Sequence, residues 1–226
     1  MNTEYDCLND PSIYNREYFQ KRESIKDFQI EIELLLRLLE LEPGLKVLEI
    51  GCGSGLLLSI LENKGCIPYG IDISEDALEI ARKRVKSGEV YAAGATNTPF
   101  EDSSFDRLVA NHLIEHLPDL DHALPEWKRV LKPGGILAFC TPNKLYPDKL
   151  IFDDPGHLRY YDTRELGAIL EAAGFAVVEN FTVFPHLGLR ALSVKLGVPL
   201  YRLFKNMPYF RYRGRSVLIS ASLKRN

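Results

Sequence analysis

The sequence predicts an α/β fold in which helices cover both faces of a mostly parallel sheet. Three observations predict it. Short apolar runs alternate with amphipathic stretches from residue 46 to residue 173, the pattern of strands joined by crossover helices. Three glycines, Gly51, Gly53 and Gly55, directly follow the first apolar run, the place where an α/β protein brings backbone close to a ligand. A chain of 226 residues with 46% hydrophobic and 26% charged side chains suffices for one domain with one core.

Residues 1–24 are polar and aromatic and are expected to form a short helix with loops. "SIKDFQIEIELLLRLLELEPG" carries apolar residues at helical spacing and stops at Pro43-Gly44. "KVLEI" is the first strand, "GLLLSILENKG" a helix ending at Gly65, and "IPYGIDI" the second strand. Ser74 can N-cap the helix "EDALEIARKRVKSG". "EVYAAG" is a third strand, "NTPFEDSSF" a loop and "FDRLVAN" a fourth strand. "DLDHALPEWKRVL" reads as a helix with an internal Pro125, a residue tolerated only near a helix start. "KPGG" is expected to be a turn and "ILAFCTP" the fifth strand. A long connection over 142–161 leads to "DTRELGAILEAAG", a helix with an Asp162/Glu165 capping-box pattern. "FAVVENFTVF" and "RSVLISASL" are the last two strands. Lacking a regular crossover helix, they can pair antiparallel.

The net charge of −3 conceals an uneven distribution. No Asp or Glu follows Glu179, and that tail carries nine Lys and Arg; the remaining 19 bases face 31 acids, so residues 1–179 stand at −12 and the tail at +9. The four cysteines, Cys7, Cys52, Cys66 and Cys140, form no CxxC pair, which excludes a disulfide framework or a zinc motif. No metal-ligand cluster is visible and no metal is expected. The start "MNTEYDCLND" is polar and acidic, unlike a signal peptide. No apolar run approaches the roughly 18 residues of a membrane span. A reducing cytoplasm is the expected compartment.

The glycine run has the form Glu49-x-Gly51-x-Gly53-x-Gly55. A dinucleotide fingerprint requires G-x-G-x-x-G, and here Leu56 stands where the third glycine belongs. Glu49 would repel a pyrophosphate and suits a ligand with a cationic end. Asp72, at the end of the second strand, can accept hydrogen bonds from two ribose hydroxyls; the plainer role, a cap on the next helix, is already offered by Ser74.

With "GIDIS", "PFEDSSFD", "NHLIEHLPD", "LKPGG" and "LEAAGF" added to "VLEIGCGSG", the chain resembles the class I S-adenosylmethionine-dependent methyltransferases from about Val47 to Phe184. Its style is that of the ubiquinone and menaquinone biosynthesis enzymes. The resemblance implies a Rossmann-like three-layer sandwich, with a seven-stranded sheet in the order 3-2-1-4-5-7-6 and the last strand antiparallel. It implies one domain: a helical lid over 1–42, a cofactor-binding core over 43–184, a basic apolar insertion or cap over 185–214 and a final strand over 215–226. It implies transfer of a methyl group from S-adenosylmethionine to a small-molecule or lipid-like acceptor, leaving S-adenosylhomocysteine.

By position, Glu49 and the backbone of Gly51 and Gly53, with Cys52 between them, would hold the methionine part of the cofactor. Asp72 would bind the ribose, Ile73 would pack on the adenine, and Asn111 would meet the methionine part through its backbone. One departure stands out. The family commonly has an Asp after the third strand, and that place holds Gly94, followed by Ala95 and Thr96. Adenine would then rely on backbone groups, apolar packing, or the side chains of Thr96 and Asn97.

Methyl transfer needs alignment more than activation, but an acceptor can need a base. His116 has a suitable ordinary pKa, against which stands a purely structural histidine over the cofactor. His112 reads as a surface or lining residue. In "DDPGHLRYYD", His157, Arg159, Tyr160 and Tyr161 are candidates to bind or deprotonate the acceptor, with one tyrosine expected in the core. "YNREYFQKRE" is either a lid over the cofactor, with Tyr14, Tyr18 and Phe19 as its apolar side and Tyr18 at the acceptor, or a simple surface helix.

Residues 185–214 interleave leucines and aromatics with bases alone. The segment is either a cap, buried against a hydrophobic substrate or a second subunit, or an interfacial segment meeting an anionic membrane. Nucleic-acid binding ranks lower, because leucine dominates without a recognition motif. The expected assembly is a monomer or a homodimer. Two other functions stay open: a cofactor-binding scaffold without catalysis, and a nicotinamide-dependent oxidoreductase.

Overall fold

The computed structural model describes residues 15–146, 156–185 and 195–224. Tyr14 and the insertion's Leu187, Leu189, Leu192 and Val194 lie outside the described residues. The strands are β1 (Lys46–Ile50), β2 (Ile67–Asp72), β3 (Glu89–Ala92), β4 (Phe105–Asn111), β5 (Leu131–Pro142), β6 (Phe175–Pro185) and β7 (Gly214–Leu223). They form one sheet in the order β3-β2-β1-β4-β5-β7-β6. β1 to β5 are mutually parallel, and β7 runs antiparallel between β5 and β6. Strand order and the reversed last strand are those the resemblance implied.

Alternation along each strand sorts the side chains into two cores. Leu48 and Ile50 of β1, Leu108 and Ala110 of β4, and Val217 and Ile219 of β7 pack on helices α5 (Leu120–Val130) and α6 (Thr163–Ala172). Val47, Val109, Ala138 and Leu218 face the other way, onto α2 (Lys26–Leu38) and α3 (Leu56–Asn63). Between β2 and β3 lies α4 (Glu75–Arg84), N-capped by Ser74, whose hydroxyl accepts from Ala77 N–H. The capping box of α6 is formed in both directions: Asp162 accepts from Glu165 N–H at 3.0 Å, and Glu165 accepts from Asp162 N–H at 3.0 Å.

Two local expectations change. Pro125 is the sixth residue of α5, inside the helix. The hydrogen bond it cannot donate would go to Asp121 C=O, in the exposed first turn, where water serves as well. "KPGG" is not a separate turn but part of β5. Phe105 pairs with Leu131 and Arg107 with Ile136, so the extra residues bulge out of the strand, with Gly134 at φ +80°.

After β6, the described part of the insertion holds α7 (Val198–Phe204) and α8 (Pro208–Arg211). Val198, Tyr201 and Phe204 are buried, and the Tyr201 ring meets Phe184 of β6 at 5.7 Å. Leu196, Leu203, Met207, Tyr209 and Tyr212 remain exposed. No helix among the described residues is long and apolar enough to cross a membrane.

Candidate functional site

A cavity opens at the carboxyl ends of β1, β2 and β4, where the strand order reverses. Its wall includes Glu49, Gly51, Cys52, Gly53, Asp72, Ile73, Ala95, Asn111 and His116, and α1 (Arg16–Glu23) roofs it with Tyr18, Phe19 and Arg22.

The glycines make room, and their own N–H groups are spent within the chain. Gly51 and Cys52 N–H both donate to Ile71 C=O, at 2.8 and 2.9 Å. Gly51 has φ +73°, and a Cβ there would lie 2.9 Å from the Leu113 side chain. Gly53 has φ +49°, and a Cβ there would lie 2.8 Å from the Phe19 ring. Only a residue without a Cβ lets the loop lie under α1.

Glu49 and Asn111 end adjacent strands beside this loop. Glu49 is 4% exposed. Its Oε2 and the Oδ1 of Asn111 are buried and accept no hydrogen bond among the described residues. Burial pushes the Glu49 carboxyl well above its ordinary value, the nearby Asp72 charge adds to the rise, and Leu58 N–H in the first turn of α3 pulls it back. Two unsatisfied buried acceptors in one cavity call for a ligand that brings N–H donors, and a cationic one most of all. Asp72 accepts from Gly53 N–H at 2.8 Å and from Ser74 N–H at 2.9 Å, while burial raises its carboxyl. The Cys52 thiol is pushed well up by burial and by the Glu49 charge, so it stays protonated and inert.

Sequence reasoning missed Arg22. Its guanidinium lines the cavity, donates to the Tyr18 hydroxyl, and lies 4.9 Å from the centre of the Phe28 ring. It brings a positive charge to the cavity wall, one helical turn from Tyr18. The end of α1 is fastened to the glycine loop. Arg84 of α4 pairs with Glu23 at 2.7 Å, and Ser54 donates to the same carboxylate at 2.6 Å.

His112 was also underestimated. It is a lining residue at φ +53°, and its Nδ1 and Nε2 face Glu115 at 3.1 Å and Glu31 at 3.0 Å. Burial opposes its charge, but the Glu31 charge above all, with Cys140 and Glu115, raises its pKa well above the ordinary value. Burial would lift the Glu115 carboxyl, yet the His112 hydrogen bond and charge bring it down to about 2.

His116 lines the cavity, and its Nδ1 donates to Gly156 C=O at 2.9 Å. The His157 ring stands edge-on behind it, 4.7 Å between centres. Other candidates fall away from the cavity. Tyr161 is buried in the α5–α6 core. Arg159 lies over the Tyr161 ring and pairs with Asp119 at 3.3 Å. Tyr160 packs against His157, not on the cavity wall. Thr96 is exposed, because the Gly94–Asn97 bridge turns it outward. Ala95 lines the cavity, but its C=O is committed to Trp127 Nε1 at 2.9 Å. Ile73 stands at the rim, 46% exposed. The described part of the insertion contributes no residue to this cavity.

Residues 48–139 match the methyltransferase-domain family. A probable S-adenosylmethionine-dependent methyltransferase of Mycolicibacterium smegmatis is 33% identical over 156 residues, covering 68% of this chain and 61% of that protein. A demethylmenaquinone methyltransferase of Tropheryma whipplei is 31% identical over 166 residues, covering 62% of this chain and 70% of that one. The chain spans between 41% and 61% of the length of three curated relatives that it matches, the Mycolicibacterium protein among them. Among solved structures, a SAM-dependent methyltransferase of Aquifex aeolicus superposes with a TM-score of 0.68 at 23% identity, over 95% of this chain and 99% of that one.

Proposed function

Because the chain belongs to the S-adenosylmethionine-dependent methyltransferases, we propose that it transfers the methyl group of that cofactor, by in-line displacement, to a small-molecule or lipid-like acceptor. The observation that carries this reading is the pair of unsatisfied acceptors on Glu49 and Asn111, which an ammonium group satisfies. Arg22 answers the carboxylate at the same end of the ligand. Asp72 takes the ribose hydroxyls, and Ile73, Ala93 and Ala95 offer apolar contact to the purine. The bound cofactor supplies a methyl group on a sulfonium, which is already an excellent leaving group. The residues of the chain therefore orient the reactants and exclude water: Phe19 closes over Gly53, and His116 and His157 act on the acceptor. A relative named for demethylmenaquinone supports a lipid-like acceptor.

S-adenosylhomocysteine should raise the melting temperature and NADH should not; stabilisation by NADH alone would overturn the proposal. Methyl turnover on a panel of quinols, lipids, sugars and small acids then separates an enzyme from a scaffold, which would bind cofactor and consume none. The finer location follows the basic tail. Exposed Leu203, Met207, Tyr209 and Tyr212 share the tail with the exposed bases Lys195 and Arg213, the latter 4.3 Å from the centre of the Tyr209 ring, a composition suited to peripheral contact with an anionic bilayer. Co-sedimentation should occur with anionic vesicles and not with neutral ones; equal behaviour with both removes this contact.

A further inference from the structure

At the β2 and β3 end of the cavity the wall changes character. Asp72 of β2 pairs with Ala92 of β3. The residues that follow these two strands give Ile73, Ala93 and Ala95 to the wall, and Leu117 joins them from beyond the 3-10 turn Ile114–His116. All of these side chains are apolar. Asp72 itself belongs to the sugar. Thr96 and Asn97 are exposed and take no part in the wall. Thr98 is buried, and its N–H and hydroxyl both donate to Glu126 of α5, at 2.8 and 2.6 Å.

The loop after β3 is also held in this arrangement. Trp127 Nε1 donates to Ala95 C=O at 2.9 Å. Glu126 holds Thr98, and Arg129 holds the Glu126 carboxylate in turn at 2.7 Å. Asn97 N–H closes back on Gly94 C=O at 3.4 Å. Pinned to α5 at Ala95 and at Thr98, the loop keeps Thr96 and Asn97 turned to solvent. A purine seated here meets apolar side chains, and its exocyclic amino group meets no side-chain acceptor. Burying that group without a partner is costly. It therefore belongs at the rim, where Ile73 is 46% exposed and Thr96 opens to water.

We propose that the site recognises its cofactor by the amino-acid and ribose ends and not by the amino group of the base, and so accepts nucleosides alkylated on that nitrogen. This rests on the cofactor reading of the cavity. Ala95 is the specificity-determining position: its methyl group lies on the wall, where a carboxylate in its place would read the amino group. Sites discriminate unequally. One built to hydrogen-bond a group strongly rejects the analogue that lacks it, because a buried partner is left unpaired. An apolar wall open to water has no such partner to strand. Alkyl groups on the exocyclic nitrogen project into solvent past Ile73 and cost the protein no hydrogen bond.

Calorimetry on the full chain with two ligands tests this. One is S-adenosylhomocysteine, and the other is its derivative dimethylated on the exocyclic nitrogen, which has no N–H left on the base. The wild type should bind the two within about tenfold of each other. A loss of more than about tenfold for the dimethyl derivative overturns the proposal. Ala95→Asp and Ala95→Asn, each confirmed as folded by its melting curve, put an acceptor on the wall. Both should prefer S-adenosylhomocysteine by more than about tenfold. Equal binding of the two ligands by both variants removes position 95 from the base site and overturns the proposal as well. The wild-type pair decides the matter even where a variant fails to fold. Binding of neither ligand by the wild type would instead strike the cofactor reading, so the two failures are distinguishable.

Discussion

Glu49→Gln should weaken S-adenosylhomocysteine binding roughly 100-fold, or ~3 kcal/mol, and should also make the ligand-free protein more stable. Both effects come from one buried oxygen. Without ligand, the Glu49 carboxylate has an unsatisfied atom in a dry wall, next to the Asp72 charge. Its folded pKa lies well above the ordinary 4.5. Between that ordinary value and the raised one, the folded chain holds a proton that the unfolded chain has released. The stabilising contribution is complete below pH 4.5 and is lost as pH rises through the folded value. The amide never ionises, so the stability advantage of the variant, about 1–3 kcal/mol, should open as pH rises. Binding must lose what stability gains, because an amide cannot offer an ammonium a full negative charge. Calorimetry with two ligands checks the assignment. 5′-Methylthioadenosine, which lacks the amino-acid end, should bind wild type and Glu49→Gln alike, whereas Asp72→Ala should lose both ligands. Equal S-adenosylhomocysteine affinity in wild type and Glu49→Gln would remove Glu49 from the site.

Gly214→Ala should cost about 3 kcal/mol or more, seen as a fall of roughly 6–12 °C in melting temperature for a chain of this size. A Cβ at 214 would lie 2.1 Å from Val183 O, 2.6 Å from Val183 C and 2.8 Å from Val183 N. These are backbone atoms of a paired strand and cannot rotate aside. Gly214 also donates to the Thr182 hydroxyl and accepts from Asn143 Nδ2, both at 2.7 Å. Asn143 bridges to Tyr161, so the strain reaches the segment that carries His157. A wild-type melting curve would mean that β6 and β7 do not approach this closely.

Legibility tracked sequence distance. β1, the glycine loop and β2 lie within 27 residues, and the roles of Glu49 and Asp72 follow from strand ends and spacing. The Asp162/Glu165 box was readable because both partners lie in one helical turn. Arg22 was not readable, since its place depends on α1 folding over a loop some 30 residues later in the chain. His116 and His157 were each visible, but nothing local says that the chain returns to bring them together. Tyr161 and Thr96 show the limit for single residues. Both types suit a pocket, and only the bridges at Asn143 and Gly94 decide that one turns into the core and the other into solvent. Strand order came from resemblance, because periodicity sets which face a strand buries and not which strand lies beside it.

The position of β7 also sets a timetable. Among the described residues β6 is an edge strand and pairs with β7 alone, and the far edge of β5 waits for the same strand. During synthesis, residues 175–185 emerge with no partner until residues 214–223 follow, an interval on the order of seconds at about 5–20 residues per second. For that time β5 and β6 both present unpaired strand edges, the surface on which other chains can template. The register shift between Val177 and Glu179 bends β6 and places a carboxylate within it, a protection that acts before the sheet is closed as well as after. Of the described strands, the one made last is the one that joins β6 to the rest of the sheet.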